Sequence, residues 1–328
     1  MITNDGYDGK KHERKNYVSE YPHPSHFIVH ISDTHLLKDD AFLYGSTVQP
    51  DAYLRYLVGQ LESSELKPDA IVITGDVADV GSARAYRKAK RILQPLIDKT
   101  GCEIIYVMGN HDNRKNFKKE LLVEEPSWET VDRVHMVNGL RIVVLDTTVV
   151  GAHWGAISKK QLRWLRDVLA EPAPHGTILA MHHPPVPSVV ESAIQVELEK
   201  QYRLADVLKG TDVRSIIAGH LHYSTMAQFA GIPVSVASAT CYVQKLDIPT
   251  GSLKAINGAQ AYNFIHVYPT TVAHSIVPLQ EAPVIKTQTH MQVEEELAAA
   301  GFCGYPTDTE AIKIIDTAVD LDNDDENA

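Results

Sequence analysis

Five apolar runs in this 328-residue chain end in the same kind of side chain. HFIVHIS (26–32) leads into Asp33, Thr34 and His35, and DAIVITGD (69–76) ends on Asp76, with Asp79 three residues on. EIIYVMGN (103–110) delivers Asn110, then His111 and Asp112. GTILAMHH (176–183) closes on His182 and His183, and VRSIIAGH (213–220) on His220, with His222 two residues later. Short runs rich in Val and Ile and bounded by Gly or polar residues read as buried strands. Open α/β sheets place ligands outside the carboxyl ends of their strands. One histidine beside a strand is an ordinary hydrogen-bonded residue; five such ends in series bring their loops to one edge and make a site. Carboxylates gathered there need a positive partner, because a buried unpaired charge is costly, and a divalent metal supplies one.

The number of ligands points to two ions. Asp33, His35, Asp76, Asn110, His182, His220 and His222 are too many for one centre that must keep a water. A carboxylate such as Asp76 has two oxygens and can bridge. Mixed nitrogen and oxygen donors suit Fe, Mn, Co or Zn better than Ca or a pure Mg site. Two ions with a bridging hydroxide activate water for in-line attack on phosphorus.

Between these runs, residues 51–64, 82–98 and 158–170 carry apolar side chains at helical spacing. The first is acid-capped at its start, the second is kinked or ended near Pro95, and the third has Ser158 as N-cap. Further strands are expected at 140–147 and 232–239, and 262–269 with 272–279 read as a closing hairpin. Strands interrupted by helices over this length give an α/β fold, a layered domain around a central sandwich. Residues 1–25 read as a flexible arm, 26–285 as the folded domain, and 286–328 as a C-terminal extension with one helical piece and an acidic, disordered end.

Hydrophobic residues make up 44% and charged residues 22%, an ordinary globular composition, and the net charge of −11 argues against broad nucleic-acid or membrane-surface binding. The N-terminal stretch lacks the apolar core of a signal peptide, and no run approaches the roughly 20 apolar residues of a membrane-spanning helix. A cytoplasmic protein without stable membrane insertion is expected. Cys102, Cys241 and Cys303 are too sparse for a disulfide framework or a CxxC metal site. They read as reduced structural thiols, the other reading being a disulfide across an oligomer interface.

In order, DTH, GDVAD, GNHD, HHPP and GHLH resemble the motifs of the calcineurin-like metallophosphoesterases, over a core of residues 26–280. The longer stretches HISDTHL, KPDAIVITGD, VMGNHD, HHPPVPSV and GIPVSVASATCY resemble more closely the class III cyclic nucleotide phosphodiesterases of actinobacteria. The resemblance implies a four-layer α/β/β/α sandwich that hydrolyses 3′,5′-cyclic AMP to 5′-AMP by attack of a metal-bound hydroxide on phosphorus. It also implies two divalent or trivalent ions per subunit, iron and manganese foremost with zinc or cobalt as substitutes, and a homodimer. On it, Asp33, His35 and His222 hold the first ion, Asn110, His182 and His220 the second, and Asp76 bridges. His111 faces the substrate and assists the leaving oxygen. Asp79 orients His111, or else caps a turn. Asn110, His111 and His183 are expected at the substrate, with a purely structural role for His183 left open, and Asp112 reads as the cap of a helix starting near Asn113. His153 and the other histidines outside the motifs take structural or surface roles by default.

Other functions remain in view. A broad phosphodiesterase would favour 2′,3′-cyclic nucleotides or aryl diesters, and another branch of the superfamily would cleave pyrophosphates. A DNA nuclease fits the acidic charge poorly. A non-catalytic scaffold usually lacks ligands or the catalytic histidine, and here all are present.

Overall fold

The computed structural model describes residues 21–45 and 47–299. Ser25–Glu281 form one compact unit; the described residues 21–24 and 282–299 belong to a second. The expected arm up to residue 20, Cys303 and the acidic end lie outside the described residues.

The chain opens with β1 (His26–Ile31), α1 (Pro50–Ser63), β2 (Ala70–Thr74), α2 (Ala83–Thr100), β3 (Glu103–Val107) and the short α3 (Arg114–Phe117). It continues through β4 (Arg133–Val137), β5 (Leu140–Leu145), α4 (Lys159–Val168), β6 (Thr177–Met181), α5 (Gln201–Leu208) and β7 (Val213–Ala218). The unit ends with β8 (Thr225–Phe229), β9 (Ile232–Val236), β10 (Val243–Gln244), β11 (Ala255–Ile256), β12 (Ala261–Val267) and β13 (Val272–Pro278). In the second unit, α6 (His290–Ala299) is the helical piece expected in the extension.

One sheet has the order β13-β12-β1-β2-β3 and the other β4-β5-β6-β7-β9-β8. β1, β2 and β3 run parallel, as do β5, β6, β7 and β9. Alternation along the strands gives each sheet two apolar faces. Ile28, Val72 and Val107 of the first sheet meet Ile142, Ile178 and Ile217 of the second between the sheets. Outside the first sheet, Val29 and Ile71 pack on Leu54 and Leu57 of α1 and on Tyr86 and Leu93 of α2. Outside the second, Leu179 and Ile216 pack on Leu165 of α4 and Leu204 of α5. The result is the four-layer α/β/β/α arrangement, in which burial of each such side chain contributes roughly 1.5–3 kcal/mol.

Local readings differ in instructive places. α2 does not end at Pro95; it continues to Thr100 and is closed by Gly101 at φ 70°. Pro95 is exposed, so the carbonyl it leaves without a donor lies on the solvent face while Leu93 and Leu96 stay buried. At the start of α1 no side chain caps the helix: Asp51 instead pairs with Lys88 Nζ of α2 at 2.6 Å. α4 begins as expected, with Ser158 and Gln161 in a reciprocal capping box. Among the described residues, no helix is long and apolar enough to cross a membrane.

Candidate metal centre

Parallel pairing carries the ends of β1, β2 and β3 to one edge of the first sheet, and those of β6 and β7 to one edge of the second. Main-chain bonds then lock the following loops together. Asp33 N–H donates to the Gly75 carbonyl (3.2 Å), His35 N–H to the Asp76 carbonyl (2.9 Å) and Gly219 N–H to the His182 carbonyl (3.1 Å). The backbone here is strained. Asp33 (φ 51°), His35 (φ 44°), Asp76 (φ 48°), His220 (φ 72°) and His222 (φ 57°) all adopt the left-handed region. That conformation costs a non-glycine residue roughly 1–2 kcal/mol, and such strain clusters where a site demands it. The motif glycines allow the close approach: a Cβ on Gly109 would collide with Asp76, and one on Gly219 with Ser32 and Asp33.

All seven expected ligands meet in one cluster, with Asn110 and His220 partly exposed and the other five buried. Asp76 Oδ2 lies 3.5 Å from His35 Nε2 and 3.4 Å from His182 Nε2, between the two rings. His222 Nε2 is 3.4 Å from Asp33 Oδ1 and 3.2 Å from His35 Nε2. His182 Nε2 is 3.0 Å from Asn110 Oδ1, and the His220 ring packs edge-on against that of His182. Each imidazole has its other nitrogen on an acceptor. His35 Nδ1 meets Asp79 Oδ1 (3.0 Å), His182 Nδ1 the Thr74 carbonyl (2.7 Å), His220 Nε2 the Val196 carbonyl (2.9 Å) and His222 Nδ1 the Tyr242 carbonyl (3.1 Å). Outer partners of this kind fix the tautomer and aim the inner nitrogen at a shared centre. Six nitrogen and oxygen donors around one shared carboxylate could hold a pair of metal ions.

The electrostatics fit as well. Burial opposes ionisation of Asp33, yet His222 and His182 outweigh it and hold the carboxyl at about 2. Asp76 is likewise held well below the carboxylate range, by His182 and His35 against burial. Burial also opposes the charged histidines, but Asp76 carries His182 up to about 9 and Asp33 carries His222 up to about 10. His220, buried beside the His182 charge, falls to about 3 and stays neutral. Against burial, Asp76 and Asp79 raise His35 well above its usual value, so protons on His35, His182 and His222 balance the carboxylates where cations would otherwise do so.

His111 stands beside this cluster with its ring 4.7 Å from that of His35. Its N–H donates to Asp76 Oδ1 (2.8 Å), and its Nδ1 meets the main-chain carbonyl of Asp79 (2.8 Å). The carboxylate of Asp79 is thus on His35, and only its carbonyl is on His111; the expected side-chain contact to His111 is replaced by these two. Asp112 does not cap α3, because Asn113 does, accepting from Asn116 N–H. The Asp112 carboxylate accepts from Gly109 N–H (3.0 Å), Ala78 N–H (3.1 Å) and Tyr86 Oη–H (2.9 Å), stitching two motif loops together. His183 is fully buried, with Nδ1 on Thr147 Oγ1 (2.8 Å) and Nε2 on the His153 carbonyl (3.0 Å). Its ring packs 4.4 Å from that of His220 and does not reach the cleft, so its expected place at the substrate gives way to a supporting one.

A cleft opens over the cluster. Asp76, Asn110, His111, His220 and His222 line it, together with the apolar side chains of Val190, Ala193, Val196 and Leu253 and with Tyr223. Sequence reasoning missed His153, which also lines the cleft and places Nδ1 3.0 Å from Asn110 Nδ2. It sits on a long loop with no motif around it, so no spacing could have singled it out.

Comparison with known proteins follows the same lines. The family model described as calcineurin-like phosphoesterase matches residues 28–224. A cAMP/cGMP dual specificity phosphodiesterase of Mycobacterium tuberculosis is 51% identical over 291 residues, 88% of this chain and 91% of that protein. A glycerophosphodiester phosphodiesterase of Enterobacter lignolyticus is 27% identical over 66% of this chain and 77% of its own length. Among solved structures, a dimetal phosphatase from Danio rerio superposes with a TM-score of 0.56 at 16% identity, covering 79% of this chain and 98% of that one, a likeness of fold alone.

Proposed function

The chain belongs to the calcineurin-like phosphoesterase family, and on that premise we propose that it hydrolyses the cyclic phosphodiester of 3′,5′-cAMP to 5′-AMP. The observation that carries this reading is a cleft over the ligand cluster that is lined by His111 and by apolar side chains as well. The 51% identity to the mycobacterial cAMP/cGMP enzyme supports the substrate class.

Asp33, His35 and His222 would hold one ion, Asn110, His182 and His220 the other, with Asp76 shared. When bound, such a pair supplies positive charge for the phosphoryl oxygens and an activated water. Asn110 offers a neutral oxygen, which adds no negative charge where a phosphodiester must approach. With Nδ1 of His111 turned to the Asp79 carbonyl, Nε2 is the nitrogen left for the substrate. Burial lowers the His111 pKa, which makes its protonated form a stronger acid toward the departing 3′ oxygen. Asp79 holds both rings, through its carboxylate and its carbonyl. Iron and manganese as the native pair, a homodimer and a cytoplasmic location belong to the same reading; metal analysis and sedimentation of the purified protein check the first two.

Product analysis by phosphorus NMR tests the reaction. Attack opposite the 3′ oxygen gives 5′-AMP alone; 3′-AMP as the main product would overturn the assigned orientation. A second reading, a broad phosphodiesterase acting mainly on 2′,3′-cyclic nucleotides or other diesters, draws on the similarity to the glycerophosphodiester enzyme.

A further inference from the structure

Two polar side-chain atoms of residues lining the cleft have no hydrogen-bond partner among the described residues. They are Gln244 Oε1 and Ser192 Oγ; both are buried, and both residues line the cleft. A buried acceptor or hydroxyl left unsatisfied is costly, and a ligand is one partner that completes it. Their neighbours Val190, Ala193, Val196 and Leu253 offer no partner, and they form a wall suited to a flat, weakly polar group.

Both residues are tied directly to the metal cluster. Gln244 N–H donates to the carbonyl of His222 (3.0 Å). Ser192 lies on the 3₁₀ turn Glu191–Val196, whose last carbonyl receives the His220 ring N–H (2.9 Å). The two unpaired atoms are therefore held at a fixed remove from the ligands His220 and His222. A phosphoester seated on the cluster would place whatever it carries against them.

We propose that Gln244 and Ser192 form the base-reading subsite, hydrogen-bonding the edge of a purine whose phosphate lies at the Asp76 cluster. This rests on the nucleotide reading above and deepens it. The chemistry also sets the selectivity. A glutamine amide offers an acceptor on one side and a donor on the other, and a half-turn exchanges them. Gln244 can thus accept from the adenine amino group or donate to the guanine carbonyl, and a serine hydroxyl is equally two-sided. Such a pair accepts both purines and rejects a ligand without a base, because that ligand leaves the buried atoms unpaired.

The test uses inhibition of aryl phosphodiester turnover by 5′-AMP and by ribose 5-phosphate in the metal-loaded protein. The wild type is expected to bind 5′-AMP more tightly. In Gln244→Leu/Ser192→Ala that advantage should fall at least tenfold, with the inhibition constant of ribose 5-phosphate moving less than twofold. Gln244→Asn, which keeps the amide on a shorter stem, should recover part of it. Equal weakening of both inhibitors would mean a merely structural role and overturn the subsite, as would an unchanged advantage. If the wild type itself showed no preference for 5′-AMP, the nucleotide reading would fall first, and the subsite with it.

Discussion

His111 is the residue on which the chemistry turns, because one ring nitrogen is committed to the Asp79 carbonyl and the other faces the cleft. Removing it should cost about 10²–10⁴-fold in kcat, the usual worth of a positioned acid. His111→Ala should nevertheless retain its full metal content, since none of the seven expected ligands is touched; loss of metal together with activity would recast His111 as a ligand. The cluster makes a second prediction. In the metal-free chain His182 and His222 are raised to about 9 and about 10 and His35 well above its usual value, so at pH 7.5 all three rings carry protons that a cation must displace. Metal binding should release about three protons per chain, read by calorimetry in buffers of different ionisation enthalpy. The sign for stability follows. These raised groups stabilise the metal-free fold fully below their unfolded pKa of about 6.5, and that contribution is lost as pH rises through 9 and 10. Absence of proton release would remove the imidazolium–carboxylate balance. The ligands were legible residue by residue because each closes an apolar run. His153 and Ser192 were not, since neither the loop after β5 nor the 3₁₀ turn Glu191–Val196 carries a motif.

At the scale of elements, the buried strands and the three long helices could be read from periodicity because each presents a strong apolar pattern to the core. The half-exposed strands β4 and β8 escaped that reading, as did the short α5: strands beside only one neighbour in a sheet carry weaker patterns. α2 shows a propensity overridden by packing. Pro95 should break a helix at a cost of about 3 kcal/mol, but Ile92, Leu93 and Leu96 are buried in the core on either side of it and hold the helix straight through. Pro95→Ala should restore a hydrogen bond on the solvent face and raise unfolding free energy by roughly 1–3 kcal/mol, measured by denaturant titration. A destabilised variant would show that the proline's restriction of the unfolded chain outweighs the missing bond.

At the scale of the whole molecule, two parallel-centred sheets packed face to face bring strand ends from distant parts of the chain to one place. Asp33 and His222 lie 189 positions apart in sequence and 3.4 Å apart in space. The sequence shows that such ends exist and what chemistry they carry. The pairing order β13-β12-β1-β2-β3, which puts the closing hairpin beside the first strand, is decided by contacts between distant segments and is not written in any local pattern. The same assembly leaves a cleft lined both by expected ligands and by apolar side chains, and the proposed nucleotide substrate makes use of both. The most direct measurement is kcat/KM of the metal-loaded protein on 3′,5′-cAMP, 2′,3′-cAMP and an aryl phosphodiester, side by side. A clear preference for 3′,5′-cAMP is the expected result. Faster turnover of the 2′,3′ isomer or of the aryl diester would contradict the assigned substrate while leaving the metal centre in place.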